Sequence, residues 1–407
     1  MPTLPAPCSN AFEEAKRHFI DGLACLEGGR FEAAEQCFLS SLALQPGRVS
    51  TLVNLAATQL ELSRPQDSLV SADQVLAVEA DNVDAWFHRG TALELLGRHD
   101  EALASFEKVL AMEGGLAEPW FRHGQVLQSL KRPAQALVSF ERALAIDPAL
   151  GRAWSNRGGI LQEMKRLEEA AESFRRAIAH GADRELNGYY LAAVGAAGAP
   201  AAAPRTYVQT LFDDYAGEFD QHLVQVLRYR AHVALTTRLR AVGARRFYSA
   251  LDLGCGTGLC GPLLRPFVER LTGVDLSARM LDKARRRGVY DRLVQSEIAE
   301  FLATTDERHD LVLAADVFIY IGALEDVFGR VRGVLDPQGM FCFSAEVAGS
   351  GASGFQLQPS LRYAHTEKYL RDLARAHRFG VVQIVREPIR EDQREVIEGL
   401  YVYLQPL

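Results

Sequence analysis

Three glycines fall at alternate positions in Leu251-Asp252-Leu253-Gly254-Cys255-Gly256-Thr257-Gly258. Apolar residues run into this stretch from Ala250, and a helix-like sequence follows it. The pattern predicts a strand that stops at a tight turn and feeds a helix. Glycine suits a sharp bend and leaves room for a ligand to approach the backbone. The free N–H groups of such a turn, with the dipole of the following helix, then face the ligand. A second apolar run, Leu271–Val274, ends in Asp275, 21 residues after Gly254. An acid at about this offset receives ribose hydroxyls in doubly wound folds. The chemistry indicated is capture of a nucleoside-bearing cofactor. The plainer reading is a glycine turn followed by an aspartate that caps the next helix.

The spacing is G-x-G-x-G with Leu at position 259, whereas a dinucleotide fingerprint is G-x-G-x-x-G. Preceded by Asp252, it resembles motif I of class I S-adenosylmethionine (SAM) methyltransferases. The segment Phe212-Asp213-Asp214-Tyr215-Ala216-Gly217-Glu218-Phe219-Asp220 is similar to the one before motif I in ubiquinone/menaquinone-type methyltransferases. There an aromatic-rich helix folds over the cofactor. This resemblance implies that Tyr215 and Phe219 contact SAM and that Arg230 meets its carboxylate; amphipathic packing is the other reading for all three. Glu297-Ile298 stands where related enzymes often place Asp and a small or apolar residue at the adenine amino group, with Glu here in place of Asp. The cofactor set implied is Tyr215, Phe219, Asp252, Gly254, Cys255, Gly256, Thr257, Gly258, Asp275, Leu276, Glu297, Ile298, Ala315 and Asp316.

A sulfonium methyl is already activated, so transfer is an in-line displacement that mainly needs alignment and exclusion of water, which supply up to about 7–11 kcal/mol. An acceptor hydroxyl, phenol or carbon acid can also need a base. The candidates are His365, in Arg362-Tyr363-Ala364-His365 after the glycine-rich loop Gly349–Gly354, and Tyr320, which would orient the acceptor. His365 also reads as a residue beside the N-cap of a helix over Thr366–His377, and Tyr320 as packing. Asp316 is expected to line the cofactor end. The sequence after the fourth strand, Asp316-Val317-Phe318-Ile319, departs from the [ND]-P-P-[FY] of methyltransferases that act on nucleic acid bases or release-factor glutamine. No residue spacing suggests a metal.

The elements that must position these residues alternate. Thr206–Ala241 is helical in pattern, and Ser277–Arg287 is a helix with Ser277 at its N-cap and a solvated Arg285-Arg286-Arg287 end. Strands are predicted at Leu293–Ser296, Asp310–Ala315 and Gly339–Ala345. Gly380–Arg386 and Val396–Leu404 read as an antiparallel edge pair. Strands alternating with helices give a doubly wound α/β sheet whose ligands sit at the carboxyl ends of the strands. The signals at 252–258, 275, 297–298 and 315–316 all fall at such ends.

The first half of the chain repeats every 34 residues. Gly22, Ala56, Gly90, Gly124 and Gly158 share one position; Ala34, Ser68, Ala102, Ala136 and Ala170 a second; Phe38, Ala72, Phe106, Phe140 and Phe174 a third; Trp86, Trp120 and Trp154 a fourth. This is the period and residue pattern of the tetratricopeptide repeat (TPR), an all-α solenoid. Small residues let the two helices of a repeat approach, and Pro46 and Pro148 end second helices. The second repeat is degenerate, with Pro65 in its inter-helix turn. Five repeats over about 15–182 are expected, with a helix near Glu185–Val194 closing the array. Phe87, Thr91, Glu94, Phe121, Gln125, Gln128, Ser155 and Gln162 are expected on its concave face, as a groove for a peptide or a packing surface.

The resulting division is an N-terminal extension (1–14), the array with its closing helix (15–195), a semi-flexible Ala/Pro linker (196–205) and a methyltransferase domain (206–407). The chain as a whole resembles bacterial methyltransferases that carry an N-terminal TPR array. That resemblance implies SAM as cofactor, with S-adenosylhomocysteine (SAH) as product, and names no acceptor. The expected function is methyl transfer, with the array recruiting a protein or peptide partner. The alternatives are a small-molecule O- or C-methyltransferase that the array only localises or oligomerises, and a non-catalytic SAM-binding scaffold. Net charge is −7, which offers no basic field for nucleic acid or an anionic membrane. Six cysteines without paired spacing suit a reducing cytoplasm. No apolar run reaches the length of a membrane span, and no signal peptide is evident.

Overall fold

The computed structural model describes residues 7–217, 219–242, 245–392 and 395–407. Residues 1–6 of the expected N-terminal extension, and Glu218 of the aromatic segment, lie outside them. The chain divides into two compact units, Met1–Asp183 and Arg184–Leu407.

The first unit is five helical hairpins: α1 (Pro7–Glu27) with α2 (Phe31–Leu44), α3 (Val49–Glu61) with α4 (Pro65–Val78), α5 (Val83–Leu95) with α6 (His99–Met112), α7 (Ala117–Ser129) with α8 (Pro133–Ile146), and α9 (Gly151–Glu163) with α10 (Leu167–Ala179). The first helix begins at Pro7, so part of the expected extension belongs to the first repeat. Each hairpin closes on one pair of residues. A Cβ on Gly22 or Gly124 would stand 2.6 Å from the ring of Phe38 or Phe140, and Gly90 and Gly158 meet Phe106 and Phe174 in the same way. The second repeat, degenerate in sequence, exchanges both partners together: Ala56 and Ala72 are each fully buried, and the missing ring makes room for the added Cβ.

Other repeat positions satisfy polar groups. The indole Nε1 of Trp86, Trp120 and Trp154 donates to the carbonyl six residues earlier, at 2.8, 2.9 and 2.9 Å. The turn inside each hairpin carries a residue with positive φ (Gly29, Ser63, Gly97, Lys131 and Lys165), again 34 residues apart. Pro65, expected in such a turn, instead opens α4, where the missing N–H has no helical partner to lose. Two residues expected on the concave face, Phe121 and Thr91, are buried, at 3% and 8% exposure, because Phe121 packs on Phe140 and the Thr91 hydroxyl bonds the Phe87 carbonyl.

Among the described residues, the second unit is a nine-stranded sheet with helices. Its strands are β1 (Phe247–Leu253), β2 (Val268–Asp275), β3 (Arg292–Gln295), β4 (His309–Ala314), β5 (Leu335–Val347), β6 (Phe355–Leu357), β7 (Tyr363–His365), β8 (Phe379–Asp392) and β9 (Glu395–Pro406). The order is β3-β2-β1-β4-β5-β7-β6, with β9 antiparallel to both β5 and β8. Pairing among β3, β2, β1, β4 and β5 is parallel. The buried apolar runs of β1 and β4 fit strands covered on both faces. The helices are α11 (Arg184–Ala193), α12 (Arg205–Tyr215), α13 (Phe219–Gln221), α14 (Ala231–Val242), α15 (Gly261–Leu264), α16 (Ala278–Arg286), α17 (Ile298–Thr304), α18 (Glu325–Val334) and α19 (Glu367–Ala376). A π-helical turn, His222–Val226, follows α13.

Two stretches differ from expectation. Helix α11, expected to close the repeat array, lies in the second unit; its Tyr189 is buried beside Leu357 and Tyr363, and the hydroxyl donates to the Leu361 carbonyl at 2.7 Å. The Ala/Pro stretch, expected to be semi-flexible, is tied down. Ala203 N donates to the Tyr320 carbonyl at 2.9 Å, Gly322 N donates to the Ala201 carbonyl at 2.8 Å, and the Tyr363 hydroxyl donates to the Pro200 carbonyl. Alanine leaves its backbone groups free for pairing, and the segment after β4 supplies the partners.

Candidate functional site

The carboxyl end of β1 is the starting point. Gly254, Gly256 and Gly258 all have positive φ (62°, 54° and 83°). A Cβ on Gly254 would meet Val317 at 2.6 Å, while one on Gly256 would meet nothing. The first glycine thus lets the turn lie against the chain leaving β4, and the second leaves its face open. Cys255 N donates to the Val274 carbonyl at 3.0 Å, which joins the turn to β2. At the end of β2, Asp275 accepts from Gly256 N at 2.8 Å through Oδ2 and from Ser277 N at 2.9 Å through Oδ1. Burial raises its pKa, and the backbone N–H groups pull against that. Asp252 is buried below the turn, where the Tyr290 hydroxyl donates to it at 2.7 Å.

A cavity of about 770 Å³ opens over these strand ends, within the range of small-molecule sites. Of the residues expected at the site, Tyr215, Phe219, Asp252, Gly254, Cys255, Gly256, Thr257, Asp275, Leu276, Glu297, Ile298, Ala315, Asp316 and Tyr320 line it. Three do not. Gly258 instead packs, and its Cβ would stand 2.8 Å from the Tyr290 ring. Arg230 is exposed, with its backbone N–H on the Ile389 carbonyl. His365 is fully buried beneath Tyr369, and its Nε2 donates to the Gly322 carbonyl at 3.0 Å. Burial pushes His365 down to about 4, so it holds a loop in place instead of facing an acceptor. Glu297 uses its carboxylate to cap α17, accepting from Glu300 N at 2.9 Å.

The segment over the cavity is pinned by polar contacts that composition does not reveal. The Ser277 hydroxyl donates to Asp213 at 2.5 Å, Lys283 Nζ to the Gly217 carbonyl at 2.7 Å, and the Thr257 hydroxyl to Asp220. Arg287 donates both to the Thr257 carbonyl and to Asp220 Oδ2, each at 2.6 Å. The sequence places Arg287 on a solvated helix end; the fold turns it toward the glycine loop. Its removal should loosen the cover. In Arg287→Ala, amides of residues 212–226 should exchange with solvent about tenfold faster, the effect of losing one charge-assisted hydrogen bond; unchanged exchange would show that Arg287 does not hold the cover.

Several cavity residues were not expected. His222 packs edge-on to Tyr215, and His232 stacks on Tyr229 at 5.1 Å; burial lowers the His232 pKa. Tyr229, Arg362 and Arg390 also line the cavity. Arg390 lies on the extension of β8 beyond the apolar run that marks the strand in sequence, so no periodicity pointed to it. Tyr320 stands edge-on to Phe212 at 5.4 Å, and burial raises its pKa.

The donors present suit an adenosyl cofactor. Asp275 is fixed by two backbone N–H groups yet still lines the cavity, where its spare lone pairs can receive ribose hydroxyls. The open face of Gly256 lets a ligand approach the turn.

Comparison with known proteins agrees with this geometry. Residues 251–343 match the methyltransferase-domain family, and residues 53–115 and 121–185 match the tetratricopeptide repeat family. The chain is 34% identical over 143 residues to a malonyl-[acyl-carrier protein] O-methyltransferase of Enterobacter lignolyticus (strain SCF1), covering 35% of this chain and 55% of that one. It is 37% identical over 92 residues to a trans-aconitate 2-methyltransferase of Paracidovorax citrulli (strain AAC00-1), covering 22% and 35%. It is 29% identical over 103 residues to nodulation protein S of Rhizobium tropici, covering 24% and 42%. The chain thus spans about half the length, or less, of these relatives. With the glycine turn, the Asp275 clamp and the parallel sheet order in place, the chain joins tetratricopeptide repeats to a class I, SAM-dependent methyltransferase domain.

Proposed function

We propose that this protein transfers a methyl group from SAM to an acceptor that its repeat array recruits as, or on, a protein or peptide. The observation that carries the transfer reading is the clamp of Asp275 on the glycine turn at the floor of the cavity. When bound, SAM supplies a methyl on a sulfonium sulfur, which needs no further activation. Asp275 and the turn would hold the adenosyl end. Tyr215 and Phe219, 5.4 Å apart edge to face, cover the site and exclude water, and the segment 212–226 keeps that cover in register. Alignment and water exclusion are the main demands of an in-line displacement.

Calorimetric titration of SAM and SAH into the full chain tests this. Asp275→Ala should weaken both by about 1–3 kcal/mol, the cost of leaving polar groups unpaired. Absence of binding by the folded wild-type chain would sink the reading and favour a scaffold.

The repeat array supports the recruiting role, because a docked partner raises the effective concentration of its acceptor group. Gln128 and Ser155 are partly exposed on helices α7 and α9. Replacing both by Arg should raise KM for a protein acceptor and leave kcat unchanged. Unaltered kinetics would favour the second reading, a small-molecule O- or C-methyltransferase, which the trans-aconitate relative supports.

A further inference from the structure

Helix α12 (Arg205–Tyr215) turns its apolar face to the cavity instead of to a packed core. It has 11 residues, and none of them is buried. A helix shorter than about 12–15 residues is marginal by itself in water. Val208, Leu211, Phe212 and Tyr215 follow the i, i+3, i+4, i+7 spacing of one helical face. All four line the cavity, and each is half-buried. Neither intrinsic propensity nor core burial therefore holds this helix in place; contacts at its two ends do.

The ends are held differently. At the N-terminal end the backbone is paired. Ala203 N donates to the Tyr320 carbonyl at 2.9 Å, Ala202 forms an antiparallel bridge with Ile321, and Pro204, the N-cap, is buried. At the C-terminal end the holding groups are side chains of α16 and its flanks. Arg279 Nη1 donates to the Asp213 carbonyl at 3.1 Å, and Lys283 Nζ to the Gly217 carbonyl at 2.7 Å. Carbonyls in the last turn of a helix have no partner within it, and a cation there suits the helix dipole. Arg287 carries the same row on to Asp220 Oδ2 at 2.6 Å. Positions 279, 283 and 287 are four apart, so they form one ridge along α16. Ser277 completes the arrangement. Its backbone N–H donates to Asp275 Oδ1 at 2.9 Å, while its hydroxyl donates to Asp213 Oδ1 at 2.5 Å. It thus holds the cofactor acid with one group and α12 with another.

We propose that α12 is a hinged lid on the cofactor site: the strap 201–204 is its hinge, and the α16 ridge with Ser277 is a latch whose release admits SAM and lets SAH leave. This rests on the methyltransferase reading above. Arg279 is exposed and Lys283 half-buried, so the latch bonds can exchange for water one at a time. The hinge bonds cannot part without moving the chain that follows β4. A ligand held at Asp275 also gives the apolar face of α12 a surface to close on, which closure then buries. Latch strength therefore sets how fast the cofactor exchanges. The latch stabilises the closed lid equally with and without ligand, so it leaves affinity nearly unchanged.

Surface plasmon resonance, with the full-length protein on the chip and SAH in solution, reads both rate constants. In Lys283→Met the association and dissociation rates should each rise about tenfold, the worth of one charge-assisted hydrogen bond, with their ratio held within about twofold. Arg279→Met should do the same through the other carbonyl, and it keeps the test decisive if Lys283→Met folds poorly. A merely structural role would weaken affinity through dissociation alone. Rates unchanged in both variants, or a rise confined to dissociation, overturn the proposal while leaving the cofactor site intact. Failure of the wild type to bind SAH at all overturns the methyltransferase reading and this proposal with it.

Discussion

Asp252→Asn is expected to abolish a stabilising contribution of up to about 4 kcal/mol that Asp252 makes at acid pH and loses between pH 4 and pH 7. Asp252 lies in the buried second half of β1 and is 1% exposed. Burial raises its pKa from 3.8 to about 7, opposed by the Tyr290 hydrogen bond and assisted by the nearby Asp275. The folded chain therefore keeps this proton to about pH 7, whereas the unfolded chain gives it up near its ordinary value. Over that window the native state binds more protons, so stability is fully present at the acid end and falls as pH rises. Asparagine has no proton to lose and can still accept from Tyr290. Hydrogen-exchange protection of the β1 amides, measured from pH 5 to 8, should fall in the wild type relative to the variant as pH rises to about 7. Parallel curves would mean that Asp252 is ionised in the native state. His365 acts with the opposite sign. Its folded pKa is depressed to about 4, so it opposes stability as pH falls from 6.5, and His365→Asn should steepen the apparent effect of Asp252.

The second large effect lies in the repeats. Phe140→Ala should cost about 3–5 kcal/mol, the usual price of removing a buried ring and leaving a cavity, because Phe140 is fully buried against Gly124. The second repeat indicates how the site can be refilled, since Ala56 and Ala72 occupy the equivalent positions. Gly124→Ala alone should overpack against the ring. Gly124→Ala combined with Phe140→Ala should be more stable than the sum of the two single changes by about 1 kcal/mol or more, a coupling of neighbours. All three tryptophans lie in this unit at 86, 120 and 154, so urea unfolding followed by their fluorescence reads it selectively. Strict additivity would mean that the two positions do not share one space.

The sequence by itself determined what depends on local chemistry. The 34-residue period carries the hairpins because each repeat must place the same small residue under the same ring. The glycine triplet carries the turn because only that residue adopts three positive φ values in five positions without strain, and the acid at 275 follows from the spacing of successive strands. Apolar runs located β1, β2, β4 and β5 because parallel strands are buried on both faces. Tertiary structure alone decided which polar side chains share a space. Arg287 looks like a solvated helix end, and folding swings it onto the glycine turn. Arg390 carries no periodicity, and a strand extension paired across the sheet buries it beside Asp316 and Glu346, 74 and 44 residues away. His365 has the residue type of a base, and burial under Tyr369 removes it from the cavity. The Ala/Pro stretch has the composition of a linker, yet backbone pairing with residues 320–323 fixes it. In each case the deciding quantity is a long-range contact, which local propensity and spacing do not encode.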